Sequence, residues 1–198
     1  METSDKIKQH FNDSIQTKIM AADCLVETIE QAASLLVECL LSDHKILCCG
    51  NGGSFSNAQH FTQIMLNRFN TERPSLPTIL LGMGIATVTS IAHDFHYSEI
   101  FAKQIEALGQ NGDILLAYCP HGTAKNILDA IETAHSRGLT VIAFTGNDGG
   151  ELSTMLMQES DLEIRAPADS RARILELHLL ITHCLCDIID LKLFSTEN

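Results

Sequence analysis

Apolar positions along the chain change their period several times, and those changes outline the elements. Over the first forty or so residues they recur at helical spacing and predict two helices, Ser4–Met20 and Ala22–Leu41. The run Ile46-Leu47-Cys48-Cys49 is apolar at every position. That suits a strand covered on both faces, and predicts one at Lys45–Cys49. Strand and helix patterns then alternate. A helix from about Ser54 to Phe69 leads to a strand at Thr78–Leu81, with Asn70 to Pro77 (NTERPSLP) as the helix-ending loop between them. Helical segments follow at Ala86–His93 and Tyr97–Leu108, then a strand at Asp113–Tyr118 and a helix at Thr123–Ser136. A strand at Thr140–Phe144, a Gly-rich turn, a short helix at Glu151–Met157 and a fifth strand at Leu162–Arg165 complete the alternation. A long, strongly apolar helix, about Ser170–Leu193, closes the chain. This order predicts an α/β fold, a doubly wound parallel sheet with right-handed crossovers, in one domain spanning residues 1–198. Ligands of such folds bind at the carboxyl ends of the strands, here the loops after the first and third.

Composition narrows the function classes. A formal net charge of −12 argues against direct nucleic-acid binding, which needs basic patches, but leaves a basic protein partner open. No apolar run has membrane-spanning length, and the start METSDKIKQHF is polar, so a cytoplasmic location is expected. The seven cysteines are odd in number and mostly sit inside apolar patterns, as reduced thiols do. Cys184 and Cys186, two apart on one helix, diverge and make a poor metal pair.

Candidate chemistry begins at KILCCGNGGS, Lys45 to Ser54. Gly50, Asn51, Gly52 and Gly53 follow the strand directly, and Ser54 stands where a cap would open the next helix. Glycines admit close approach of a ligand to the backbone, and helix-start amides attract anions, so the segment reads as a phosphate cradle. The same spacing also suits a tight strand-to-helix turn with no ligand.

CGNGGS, with Ala58-Gln59-His60-Phe61 on the next helix, resembles the sugar isomerase (SIS) domain of phosphoheptose isomerases. Glu72 to Pro77 (ERPSLP), Asp148 to Leu152 (DGGEL) and the spacing of His178 and His183 extend the likeness over nearly the whole chain. SIQTKI, ILCCGNG, NRFNTERPSLP and LCDIID are more similar in wording to the DiaA branch, SIS proteins that bind the replication initiator DnaA. The resemblance implies a five-stranded parallel sheet, a homotetramer and ligand sites built between subunits.

In the isomerases two histidines, a glutamate and a glutamine surround the substrate and can hold zinc. His60 and His183 match the histidines, whereas Ile64 and Leu175 stand at the glutamate and glutamine positions. Two imidazoles alone make a weak zinc site, so no cofactor is expected, with zinc only under the isomerase alternative. His60 and His183 remain as residual catalytic candidates, with interior packing as the plainer account of both. The loop after the third strand, Cys119-Pro120-His121-Gly122-Thr123-Ala124, lacks the hydroxyls with which the family grips a sugar phosphate, and Pro120 removes an amide donor. The expected phosphosugar contacts are therefore Asn51, Gly52, Gly53, Ser54, His121, Gly122 and Thr123, with Asp94 by its match to the family. As an isolated aspartate Asp94 also suits a turn or cap. Arg68 and Arg73 are candidates for an anion contact, with surface pairing to Glu72 as the plainer account.

These departures favour an initiator-binding scaffold that has lost isomerisation, with a phosphoheptose isomerase or a phosphosugar-binding protein as the alternative. Leu193 and Phe194, close to the end of the sequence given, are then candidate anchors for a DnaA-type protein, unless they pack into the protein's own core or subunit seam.

Overall fold

A computed structural model describes residues 2–194. Helices α1 (Thr3–Cys24) and α2 (Val26–Leu41) precede β1 (Ile46–Gly50). Then come α3 (Gly53–Leu66), β2 (Thr78–Leu80), α4 (Ile85–Asp94), a 3₁₀ turn at Tyr97–Glu99 and α5 (Ala102–Leu108). The remaining elements are β3 (Ile114–Tyr118), α6 (Lys125–Ser136), β4 (Thr140–Gly146), α7 (Gly150–Met155), β5 (Leu162–Ala166) and α8 (Arg171–Phe194). The five strands form one parallel sheet in the order β2-β1-β3-β4-β5. The expected α/β class, strand count and long closing helix are all present.

The continuous apolar runs are explained by burial on both sheet faces. Ile46 and Cys48 point into a core shared with α2, α3 and α8, while Leu47 and Cys49 point into a second core with α5 and α6. All four are fully buried, as the period of two in a strand requires. The chain leaves β1 to build β2 on one side, then returns to build β3 on the other. That reversal opens a crevice at the carboxyl ends of β1 and β3, the usual ligand position in an open parallel sheet. Among the described residues no helix is long and apolar enough to cross a membrane.

Two local expectations change. The helix foreseen to Phe69 ends at Leu66, because Arg73 takes the last-turn carbonyls. Its Nη1 donates to Met65 O at 2.9 Å and its Nη2 to Ile64 O at 3.0 Å. Arg73 is thus no surface partner of Glu72: its side chain is fully buried, and its Nε donates to Asp190 at 2.6 Å. A cation at a helix C-terminus also complements the dipole. Leu193 and Phe194 are half-buried against the α2–α3–α8 core, and the Arg73 guanidinium lies 5.9 Å from the Phe194 ring. They pack into the chain's own core and do not stand out as an anchor.

Candidate functional site

Two loops from adjacent strands meet over the crevice. After β1 the backbone folds back so tightly that a Cβ on Gly50 would lie 2.7 Å from the Ser54 carbonyl carbon, which explains glycine there. Asn51 is held in place by Asn126, a buried residue at the start of α6. Asn51 Nδ2 donates to Asn126 Oδ1 at 2.7 Å, and Asn126 Nδ2 returns a bond to Asn51 Oδ1 at 2.8 Å. Tyr97 adds a hydroxyl donor to Asn51 Oδ1 at 3.3 Å.

A cavity of about 170 Å³ lies between the loops, lined by Asn51, Ser54, His121, Thr123 and Arg171, with Tyr118 and Cys119 at its floor. Ser54 is fully buried, and its Oγ has no hydrogen-bond partner among the described residues. An unpaired buried hydroxyl is costly, so one that lines a cavity marks a place for a ligand atom or water. Burial pushes the Cys119 thiol up, while the amides of Ala124, Gly122 and Thr123 pull it the other way. These amides face the sulfur, where the sugar isomerases carry a hydroxyl.

Gly122 has a different part from the one expected of it. Its N–H donates to Cys119 O at 3.0 Å, so that amide is already used. Its φ of +62° favours glycine, and a Cβ would overlap the Gly149 carbonyl oxygen. Gly122 O in turn accepts from Leu152 N at 2.9 Å. The loop after β3 is therefore locked to the Gly149-Gly150 turn. Gly53 opens α3 and leaves room for Leu175, whose Cδ1 would lie 2.8 Å from a Cβ placed there.

Asp94 is exposed at the end of α4, bonded to His93 Nδ1 at 2.9 Å and to Ser90 at 3.4 Å, and does not line this cavity. Its surroundings are those of a helix-end residue. Sequence reasoning missed Arg171 and Asn126. Neither lies in the Gly-rich motifs, and both reach the crevice only through the fold. A larger groove of about 600 Å³ runs between α2 and the turn before β5, but Glu27, Glu30, Glu38 and Glu159 line it and would repel a phosphate.

His60 and His183 form a second constellation, between α3 and α8. Their Nε2 atoms are 2.8 Å apart, so one ring carries the proton and the other accepts it. Phe69 stacks on His183 with ring centroids 5.7 Å apart. Burial, and then the charge of His183, lower the His60 pKa. Ile64 and Leu175 leave this pair without a carboxylate or amide at the matching positions. Among the described residues no cluster of three or more His, Cys, Asp or Glu is placed to hold a metal. An ion bonded to both nitrogens at ~2.0–2.1 Å would also have to prise the rings apart. The residues of this chain do not fit zinc.

A model of the SIS domain matches residues 10–146. The chain is 56% identical over 197 residues to a phosphoheptose isomerase of Coxiella burnetii, covering 100% of this chain and 98% of the relative. The chain belongs to the SIS domain family. A phosphoheptose isomerase of Chromohalobacter salexigens is 52% identical over 198 residues, with 100% of both chains covered. The solved phosphoheptose isomerase of Francisella tularensis superposes with a TM-score of 0.93 at 49% identity, covering 96% of this chain and 99% of its own. That of Neisseria gonorrhoeae gives 0.90 at 39% identity, with the same coverage. These relatives overturn the expectation of a DnaA-binding scaffold. Phosphoheptose isomerases match the chain over its full length.

Proposed function

We propose that the protein is an aldose–ketose isomerase of phosphorylated sugars, of the phosphoheptose type. The observation that carries this reading is the full-length likeness, above 50% identity, to proteins named phosphoheptose isomerase. The switch-point cavity with its unpaired serine supports it. Asn51, Ser54 and Thr123 would hold the sugar phosphate. Isomerisation moves one proton from the hydroxyl-bearing carbon to the former carbonyl carbon and a second from the hydroxyl oxygen to the former carbonyl oxygen, through an enediol. The group that accepts and returns the first proton needs a lone pair at neutral pH. The His60–His183 pair, outside the lining of that cavity, offers one at Nδ1 of whichever ring donates its Nε2–H to the other, and the lowered His60 pKa favours the unprotonated form. No step is assigned to zinc, and the location is cytoplasmic in this reading.

Sedoheptulose 7-phosphate turnover tests it, with and without added zinc. His183→Ala is expected to lower kcat by about 10²–10⁴, the usual range for a proton-transfer group. Protein purified without added metal is expected to hold less than one zinc per chain. No turnover by the parent under either condition sinks the isomerase reading. Binding without turnover would leave a phosphosugar-binding protein.

The same reading includes a homo-oligomer, a tetramer by the family resemblance. Ile7, Phe11, Ile15 and Ile19 form an exposed stripe at i, i+4 spacing on α1, and Phe11 is 68% exposed. α4 buries none of its residues. Apolar faces of this kind are ordinarily covered by another surface. Light scattering is expected to give an oligomer that Phe11→Asp dissociates; a stable monomer at micromolar concentration would overturn the assignment.

A further inference from the structure

We propose that Arg171 is the phosphate-recognising cation of the switch-point cavity, supplying by charge what the loop after β3 lacks in hydroxyls. The inference rests on the phosphosugar reading of that cavity and names the group that selects its ligand. Arg171 opens α8 and lines the cavity together with Ser54, His121 and Thr123. Its Nη2 lies 3.6 Å from where a Cβ on Gly52 would sit, so the guanidinium rests on the glycine cradle itself. Glycine at 52 is favoured by its φ of +56°, since a Cβ there would only touch the guanidinium.

Pairing and position together set Arg171 apart. Arg68 also has no ion pair or hydrogen bond among the described residues, but it is exposed beyond the end of α3 and does not line the cavity. Arg73, Arg165 and Arg173 each meet a carboxylate, at Asp190, Glu163 and Glu176. Arg137 donates to the Gly109 carbonyl at 2.9 Å. Arg171 has no ion pair and no hydrogen bond among the described residues, although five N–H donors project from it. Beside it the Ser54 hydroxyl is fully buried, unpartnered and directed at the same space. The positive ends of α3 and α8 lie there too, since Leu175 in the first turns of α8 packs on Gly53 at the start of α3.

A planar fork, an orphaned hydroxyl and two helix starts together fit a phosphomonoester dianion, which accepts bidentate bonds from arginine. The loop after β3 has Cys119, Pro120 and Ala124 where hydroxyls would otherwise grip such a group. Arg171 therefore makes recognition depend on the charge of the phosphate, and a neutral sugar gains nothing from it.

Calorimetric titration with inorganic phosphate, sedoheptulose 7-phosphate and unphosphorylated sedoheptulose tests this on the intact oligomer. Arg171→Ala is expected to weaken both phosphate ligands on the order of 10- to 100-fold, the loss of a charge-assisted contact. Arg171→Lys is expected to recover part of that affinity, and the neutral ketose is expected to respond to neither variant. Arg171 is exposed, so both variants should melt with the parent. Phosphate affinity unchanged in Arg171→Ala, or no phosphate binding by the parent, overturns the proposal. Phosphate binding that depends on Arg171 in a protein without turnover would leave the proposal standing and remove only the isomerase reading.

Discussion

Asp190→Ala is expected to destabilise the fold by about 3–5 kcal/mol, the cost of leaving a buried charge without its partner. The partner is Arg73, whose side chain is fully buried and whose Nε lies 2.6 Å from Asp190 Oδ1. The same guanidinium holds the carbonyls of Ile64, Met65 and Pro74, so it cannot turn toward water without releasing the end of α3. Asp190→Asn keeps an acceptor for Nε and should cost less. Urea unfolding of both variants measures the difference. Equal stability of Asp190→Ala and the parent would show that the ion pair contributes nothing. Because Asp190 lies on α8 and the bound carbonyls on α3, the pair also ties together the two helices that carry His183 and His60. A loosened tie should reduce turnover before it unfolds the chain.

Acid is expected to weaken the protein through His178. This residue is fully buried, its Nε2–H donates to Thr145 O at 2.8 Å, and the edges of Phe144 and Tyr118 enclose its ring. Burial lowers its pKa from 6.5 to about 4, against the opposing effect of the Thr145 carbonyl. The unfolded chain therefore takes up a proton near pH 6.5, while the folded chain resists until about pH 4. Between these values the unfolded state binds more protons, so stability falls as pH falls. The loss from this one group reaches about 3 kcal/mol at the lower value, at 1.36 kcal/mol per pKa unit. His178→Gln retains a donor for the Thr145 carbonyl and does not titrate. Its unfolding free energy should fall less steeply between pH 6.5 and 4, and equal slopes for parent and variant would exclude His178 as the source.

The sheet was legible because its strands are apolar at every position and helical periods separate them. β1, β3, β4 and β5 begin and end within two residues of the expected limits. Boundaries slipped where distant residues intervene. α3 stops early because Arg73 takes its last carbonyls. The helix expected over Tyr97–Leu108 divides at the buried pair Ile100 and Phe101. In the site, residues within the Gly-rich loop could be read from local spacing, and Asn51, Ser54, His121 and Thr123 do share one cavity. Asn126 and Arg171 could not be read this way. Their contacts with the loop after β1 span 75 residues in one case and over a hundred in the other; the first exists because β1 and β3 are neighbours, the second because the start of α8 packs on the start of α3. The functional expectation failed differently. It weighted Ile64 and Leu175 above the full-length likeness.

The lock between Gly122 and the Gly149-Gly150 turn divides the loop after β3 into two kinds of position. At the locked glycine no side chain fits, so sequence drift there removes the fold before it can alter chemistry. At Cys119, Pro120, His121, Thr123 and Ala124 the backbone path is already set, and a changed side chain meets the cavity in a known place. The loop thus works as a fixed frame with exchangeable contents. Grafting serine or threonine at 119, 120 and 124 would change the grip on a ligand without re-routing the chain.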